Sequence, residues 1–443
     1  MMHVLLLSFD LLDSNEPQIP YSTAALNAYV KRNINHTEFK LDAASINLMN
    51  LEREMLSDAQ VIDQWLKVFQ KKYDWVGIAC NIWSEIHVHQ VMDYLRCETS
   101  SKIVLGGPSI TQNKIVMEKK YPLADCFISG HAENSLVFLI NKAIANDGVP
   151  NWLNMPFDQK IIDLPSPYLT DDLLSINKGD KVRMETLRGC AFRCSFCAHR
   201  NATQNSQLLV ASDQTVLESF KLFENKKVDR INMLDPYFNW GDHGVRILKL
   251  AKMAGLTRRL NLQVRPDVLV RQKEFLELAK ELNVCLEIGV QSMDADVLRN
   301  INRGSGIDKV QSALELVIAM GIKFEITLIY GLPGQTVKSL RNTIDLLSEI
   351  GVQNIQCFPL ELLPNTLLED HVGKYRIKTQ FNKYGIQLVT ESYSFDLPEY
   401  RKMEEIAIKC NAVDSISGLI AEKKALNLAE LDMDKNVILS NRC

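Results

Sequence analysis

Short apolar runs alternate with helical patterns along the first third of the chain. The runs are His3 to Ser8, Glu38 to Ala43, Asp74 to Cys80, Lys102 to Leu105 and Asp125 to Ser129, with helical periodicity over about 22–32, 55–72, 85–97 and 132–147. Such alternation predicts parallel strands with crossover helices, an α/β domain built on an open, doubly wound sheet over residues 1–150. Ligands of such sheets sit beyond the carboxyl ends of the strands. Asn81 to Ser84, Gly106-Gly107-Pro108 and Gly130-His131 fall there and form a predicted binding rim. Pro150, Pro156, Pro165 and Pro167 then break the pattern, which marks a linker over 151–180. Beyond it Val182 to Leu187, Val228 to Leu234, Leu260 to Val264, Cys285 to Val290, Lys323 to Tyr330 and Asn354 to Leu360 read as strands. All but the last precede a helical stretch, which predicts a partial (β/α)6 barrel over 181–366 with its chemistry at the strands' carboxyl ends. The remainder, 367–443, reads as mostly helical, from Leu397 through Leu428.

Composition narrows the class. The 443 residues are 46% hydrophobic and 23% charged, as in ordinary globular proteins, and the net charge of -4 gives no broad attraction to nucleic acid or anionic membrane. No apolar run reaches the roughly 18 residues of a membrane span. The first residues meet Asp10 before an apolar segment of signal length forms, so they read as a buried strand. Ten cysteines without a regular framework fit a reducing, cytoplasmic compartment.

Three of those cysteines carry most of the information. Cys190, Cys194 and Cys197 lie within Arg-Gly-Cys-Ala-Phe-Arg-Cys-Ser-Phe-Cys-Ala-His, directly after the first barrel strand. Three thiolates on a tight loop can hold three irons of a [4Fe-4S] cluster and leave the fourth open to a small molecule; no fourth cysteine follows until Cys285. The competing reading is a structural zinc site with His199 as fourth ligand, although zinc sites usually draw on two separated pairs.

The spacing C-x3-C-x2-C, with Phe196 before the last cysteine, resembles the signature of the radical S-adenosylmethionine (SAM) superfamily. The resemblance extends to Glu287-Ile-Gly-Val-Gln-Ser292, to Ile329-Tyr-Gly-Leu-Pro-Gly-Gln-Thr336 and to Asp235-Pro-Tyr-Phe-Asn239. It implies that Asp235 meets the methionyl amino group of SAM, that Arg265 pairs with its carboxylate, that Gln291 lies near the ribose and that Gly331 lets the adenine approach the backbone. A guanidinium suits a carboxylate, and a glycine removes the obstructing side chain. Arg303, in Asn-Arg-Gly-Ser-Gly, is a further candidate for SAM or substrate, with a capped helix end as the plainer reading. The implied chemistry is reductive cleavage of SAM to a 5′-deoxyadenosyl radical, which takes hydrogen from an unactivated C–H bond, with a reductant such as flavodoxin or ferredoxin as electron source.

The first domain resembles the cobalamin-binding domain of the B12-dependent branch through Trp83, Val104-Leu-Gly-Gly-Pro108 and Ile128-Ser-Gly-His-Ala-Glu133. The D-x-H-x-x-G segment is absent, as in many members of this branch, and the last loop departs from Gly-Glu-Gly-Glu, which weakens the case for bound cobalamin. Cys357, in Asn354-Ile-Gln-Cys-Phe-Pro359, would serve as hydrogen donor to a substrate radical if its thiol faced the barrel interior; a buried structural cysteine is the alternative. These features make epimerisation of a peptide substrate the leading expectation. A cobalamin-dependent C-methyltransferase is the alternative, followed by a dehydratase or other tailoring enzyme acting on a small molecule.

Overall fold

The computed structural model describes residues 1–12, 16–34, 37–50, 54–111, 113–157, 161–162, 164–170, 174–200, 208–304, 306–382 and 384–411. They fall into two compact units, residues 1–184 with 209–231, and 185–208 with the residues from 232 onward.

Six strands of the first unit are β1 (Met2–Asp10), β2 (Phe39–Asn47), β3 (Trp75–Ala79), β4 (Lys102–Gly106), β5 (Cys126–Ile128) and β6 (Trp152–Leu153). They form one sheet in the order β2-β1-β3-β4-β5-β6, parallel at every pairing. Strand alternation explains the unbroken apolar run at the start of the chain. Leu5, Leu7 and Phe9 face one core with Trp65, Val88, Val91 and Leu95, while Val4 and Leu6 face another with Val30, Ile34, Leu136 and Leu139. Helices Asp58–Val68 and Glu85–Glu98 therefore cover one face, and Tyr21–Asn33 and Ala132–Ile144 the other. A sheet buried on both faces needs apolar residues at odd and even positions alike, each large one contributing about 2 kcal/mol. Sequence periodicity missed β6 and the helix Lys114–Lys120.

The chain runs from β1 to β2 on one side and then crosses to β3 on the other, so the switch point lies between β1 and β3. There the Trp83 indole N–H donates to the Phe9 carbonyl at 2.9 Å. Asp10, at the end of β1, accepts from the hydroxyls of Ser8 and Ser45, and burial raises its carboxyl above the usual range.

The second sheet contains β7 (Lys181–Met184), β8 (Arg230–Met233), β9 (Arg259–Val264), β10 (Val284–Gln291), β11 (Lys323–Tyr330) and β12 (Ile355–Pro359), ordered β12-β11-β10-β9-β8-β7. Pairings from β9 to β12 are parallel, with helices Lys273–Glu281, Ile307–Met320 and Val337–Ile350 among the crossovers. This is the expected partial barrel. The C-terminal region adds an antiparallel hairpin, β13 (Lys378–Phe381) with β14 (Gln387–Glu391), before the helix Leu397–Asn411. The rest of the stretch expected to be helical, 412–428, lies outside the described residues. Among those described, no helix is long and apolar enough to cross a membrane.

The rim loop after β4 is tightly folded. Gly107 has φ +102°, and a Cβ there would lie 2.8 Å from the Cys80 carbonyl oxygen. Gly107→Ala is therefore expected to destabilise the first unit by about 2 kcal/mol, read as an earlier thermal transition. An unchanged transition would contradict this packing.

Candidate active site

The cysteine loop is fixed at several points before any cofactor is considered. Gly189 enters it with φ +96°, a conformation costly for other residues. Ser195 N–H donates to the Ile301 carbonyl at 2.9 Å, Leu368 N–H donates to the Ser195 carbonyl at 2.8 Å, and the Asn302 side chain donates to the Arg193 carbonyl at 2.7 Å. Cys197 N–H closes a turn onto the Cys194 carbonyl at 3.2 Å. Cys194 is buried, Cys190, Phe196 and Cys197 are half-buried, and His199 is exposed.

Two guanidiniums converge on the middle sulfur. Arg303 Nη1 lies 3.6 Å from Cys194 Sγ, and Arg265 Nη1 lies 3.9 Å from it. Arg265 is also clamped by both Asp267 oxygens, at 2.9 and 3.0 Å, and its guanidinium carbon sits 3.6 Å from the centre of the Phe192 ring. Phe192 in turn packs edge-on against Tyr237 at 4.9 Å. Arg303 donates to the Gly289 carbonyl, and a Cβ on Gly289 would lie 3.2 Å from its Nη2, so the glycine makes room for the arginine. Burial pulls the Arg303 guanidinium below the ordinary arginine range, and the Cys194 sulfur acts in the opposite direction. Burial pushes the Cys197 thiol up to about 11 and raises Cys190, while Arg303 pulls both down and Arg265 also lowers Cys190. Among the described residues, no three His, Cys, Asp or Glu side chains are arranged to share a single ion. Three thiols spread along one loop beside two cations suit a cluster, whose ligands stand apart around it and bind as thiolates.

The other residues singled out from sequence divide into two groups. Gln291 joins the loop: it sits at the bulge ending β10 with φ +70°, and its Nε2 lies 2.8 Å from the place of a Gly289 Cβ. A non-glycine residue held in that region is a strained position of the kind found at ligand sites. Gly331 and Asp235 have their space filled by protein. A Cβ on Gly331 would lie 3.0 Å from the Val389 carbonyl oxygen, so the glycine accommodates the C-terminal hairpin. Asp235 is fully buried and accepts from the Thr186 backbone at 2.6 Å, from the Thr186 hydroxyl and from His243 Nε2 at 3.1 Å.

Cys357 is not brought to the cysteine trio. Strand register pairs Thr327 with Gln356 and Leu328 with Cys357. Thr327 shares the face of Gly289 and Arg303, its Oγ1 lying 3.7 Å from a Gly289 Cβ, so Cys357 lies on the opposite face with Leu328. That face meets helix Leu397–Asn411, whose Asn411 side chain brackets the Cys357 backbone at 2.8 and 3.0 Å. Burial raises the Cys357 thiol well above its ordinary value. Sequence reasoning missed Phe192, Tyr237, Asp267 and Gly289. Phe192, Tyr237 and Gly289 lie inside motifs already quoted, which is the signal that could have exposed them; Asp267 carried only its place two residues after Arg265.

With this geometry in place, the comparisons with known proteins are decisive for the domain. Residues 184–347 match the model of the radical SAM superfamily. The chain carries a radical SAM domain. Such a domain works with a [4Fe-4S] cluster and SAM, and the three thiols and two guanidiniums fit that pair. Similar proteins include the cobalamin-dependent radical SAM methyltransferase TokK of Streptomyces tokunonensis, 24% identical over 69% of this chain and 50% of that protein. The hopanoid C-3 methylase of Methylococcus capsulatus is 28% identical over 64% of this chain and 57% of its own length. The chain thus spans about half the length of these curated relatives. Among solved structures, the radical SAM methyltransferase TsrM of Kitasatospora setae shares the fold with a TM-score of 0.69 at 13% identity, over 94% of this chain and 90% of that one. The cobalamin-dependent radical SAM enzyme OxsB follows with a TM-score of 0.67 at 16% identity, over 92% of this chain and 66% of its own.

If the radical SAM loop binds as described, Cys194→Ala lowers the iron of anaerobically reconstituted protein from about four atoms per chain to fewer than one. His199→Ala leaves it unchanged. Iron analysis of both variants checks this, and dependence on His199 would favour a mononuclear site.

Proposed function

We propose that this chain is a cobalamin-dependent radical SAM methyltransferase that acts at a carbon centre of a small-molecule or peptide substrate. The supporting observation is the union, in one chain, of a doubly wound sheet with a radical SAM domain, an architecture shared across almost the whole length with TsrM. The names of the similar proteins, a cobalamin-dependent methyltransferase and a hopanoid methylase, favour methyl transfer over the epimerisation expected first.

The first sheet has features that suit a bound corrinoid. Ser109 Oγ and Ser129 Oγ are buried without a hydrogen-bond partner, and they follow the carboxyl ends of the neighbouring strands β4 and β5. Unsatisfied buried hydroxyls at the ligand end of such a sheet suit a ligand with polar groups. Ser109, Ser129 and the Gly106-Gly107-Pro108 loop would hold it. When bound, the cluster and SAM supply hydrogen-atom abstraction, and the corrinoid supplies a transferable methyl group.

The chain's own residues then bind, orient and exclude. Cys190, Cys194 and Cys197 would each ligate one iron, with Arg303 and Arg265 favouring thiolate over thiol. Arg303 is the better placed cation for the SAM carboxylate, because Arg265 is already paired with Asp267. Phe192, stacked on that guanidinium, and the buried Tyr237 keep water from the loop.

Protein reconstituted with cluster and hydroxocobalamin, then supplied with reductant, candidate substrate and SAM bearing a deuterated methyl group, should retain the corrinoid and transfer the labelled methyl to carbon. Turnover without corrinoid in a parallel reaction run in D2O with unlabelled SAM, giving a single solvent deuteron at an α-carbon, would overturn the reading in favour of epimerisation. Cys357→Ala separates the two independently. It should leave product formation within about twofold and cost roughly 1 kcal/mol of stability, whereas a hydrogen donor could not be dispensed with.

A further inference from the structure

The resemblance assigns Asp235 to SAM, yet its surroundings leave no place for a cofactor. The residue is fully buried, and both carboxylate oxygens accept hydrogen bonds within the protein. Oδ1 takes the Thr186 N–H, and Oδ2 takes the Thr186 hydroxyl together with His243, whose Nε2 also lies 3.1 Å from that hydroxyl oxygen. With Asp235 0% exposed, a SAM ammonium could reach it only by opening the packing that encloses it and its three protein donors. Thr186 itself is 1% exposed and His243 5%.

What the cluster of groups does hold is the root of the cysteine loop. Thr186 stands four residues before Cys190, joined to it by Leu187, Arg188 and the left-handed Gly189. The anchor beneath it is rigid. His243 opens the helix His243–Met253, and a Cβ on the next residue, Gly244, would lie 2.9 Å from the Phe275 ring. A second contact from the same segment reaches the loop further on, because Tyr237, two residues beyond Asp235, packs against Phe192 between the first two cysteines. Asp235 to Tyr237 thus grips the loop on both sides of Cys190.

We propose that Asp235, with His243, is a positioning residue that sets the cluster-binding loop through Thr186, and that it does not contact SAM. The proposal rests on the cluster reading of the three cysteines but not on methyl transfer. Residues that orient metal ligands from behind typically change metal retention by about tenfold or more when altered.

The test compares Thr186→Val, Thr186→Ser, Asp235→Asn and His243→Gln with the wild type after anaerobic reconstitution. Iron content, the rate of cluster loss to a chelator, the melting temperature and the change in the reduced-cluster electron paramagnetic resonance spectrum on adding SAM are measured. Asp235→Asn and Thr186→Val should lose the cluster about tenfold faster than wild type. Thr186→Ser, which keeps both donors, should restore wild-type retention, and His243→Gln should fall between. The fraction that keeps its cluster should still respond to SAM at wild-type concentrations. Wild-type retention with a lost SAM response in Asp235→Asn would overturn the proposal and return the residue to the cofactor. Loss of cluster only in step with melting temperature would overturn it as well. A wild type that takes up no cluster would defeat the underlying reading instead, which keeps the two failures distinct.

Discussion

The second unit is organised around one sulfur atom and the two cations beside it. Cys194 is buried, with Arg303 3.6 Å and Arg265 3.9 Å from its Sγ. Two guanidiniums sharing a buried environment repel each other and lose hydration, an arrangement that is costly unless negative charge is nearby. Asp267 answers one of them. Asp267 also favours the Arg303 charge, and thiolates ligating iron would add further negative charge beside both guanidiniums. This explains why arginines, which a structural zinc site would not require, stand behind the cysteines. It also explains the glycine at 289, where a side chain would displace Arg303 from the sulfur.

Each sheet contributes position rather than chemistry. In the first, apolar residues at both odd and even positions bury two faces and leave only the carboxyl ends for ligands, where two buried hydroxyls remain unsatisfied. In the second, the strands present Gly289, Gln291 and Thr327 on the face that carries Arg303, and Cys357 with Leu328 on the other. Gln291 lies beside Gly289, two residues along the same strand, with a bulge between them. Regular alternation alone would put residues 289 and 291 on one face; the bulge shifts the register, so that Gln291 pairs with Leu328.

Much of this was legible in the chain itself. The six main strands of the barrel and five of the six in the first sheet follow from apolar runs, because burial on both faces writes itself into composition. The cysteine loop was legible because its chemistry demands three thiols close in sequence. What escaped depended on contacts distant in sequence. Asp267 and Phe192 are ordinary residues until Arg265 lies between them, and the C-terminal hairpin is invisible to a helical periodicity that dominates its flanks. Motif reading names a residue without naming its neighbours. Gly331 makes room for the Val389 carbonyl, and Asp235 binds Thr186 and His243. Cys357 had two possible faces, and only register with Leu328 distinguishes them.

Three thiols can ligate only three of the four irons, which would leave the fourth open to SAM. Electron paramagnetic resonance of the reduced, reconstituted protein, recorded before and after SAM is added, tests it most directly. The expected result is the signal of a [4Fe-4S] cluster whose shape changes once SAM occupies the open iron. A cubane signal indifferent to SAM, or protein that holds a single metal ion and no cluster, would contradict it.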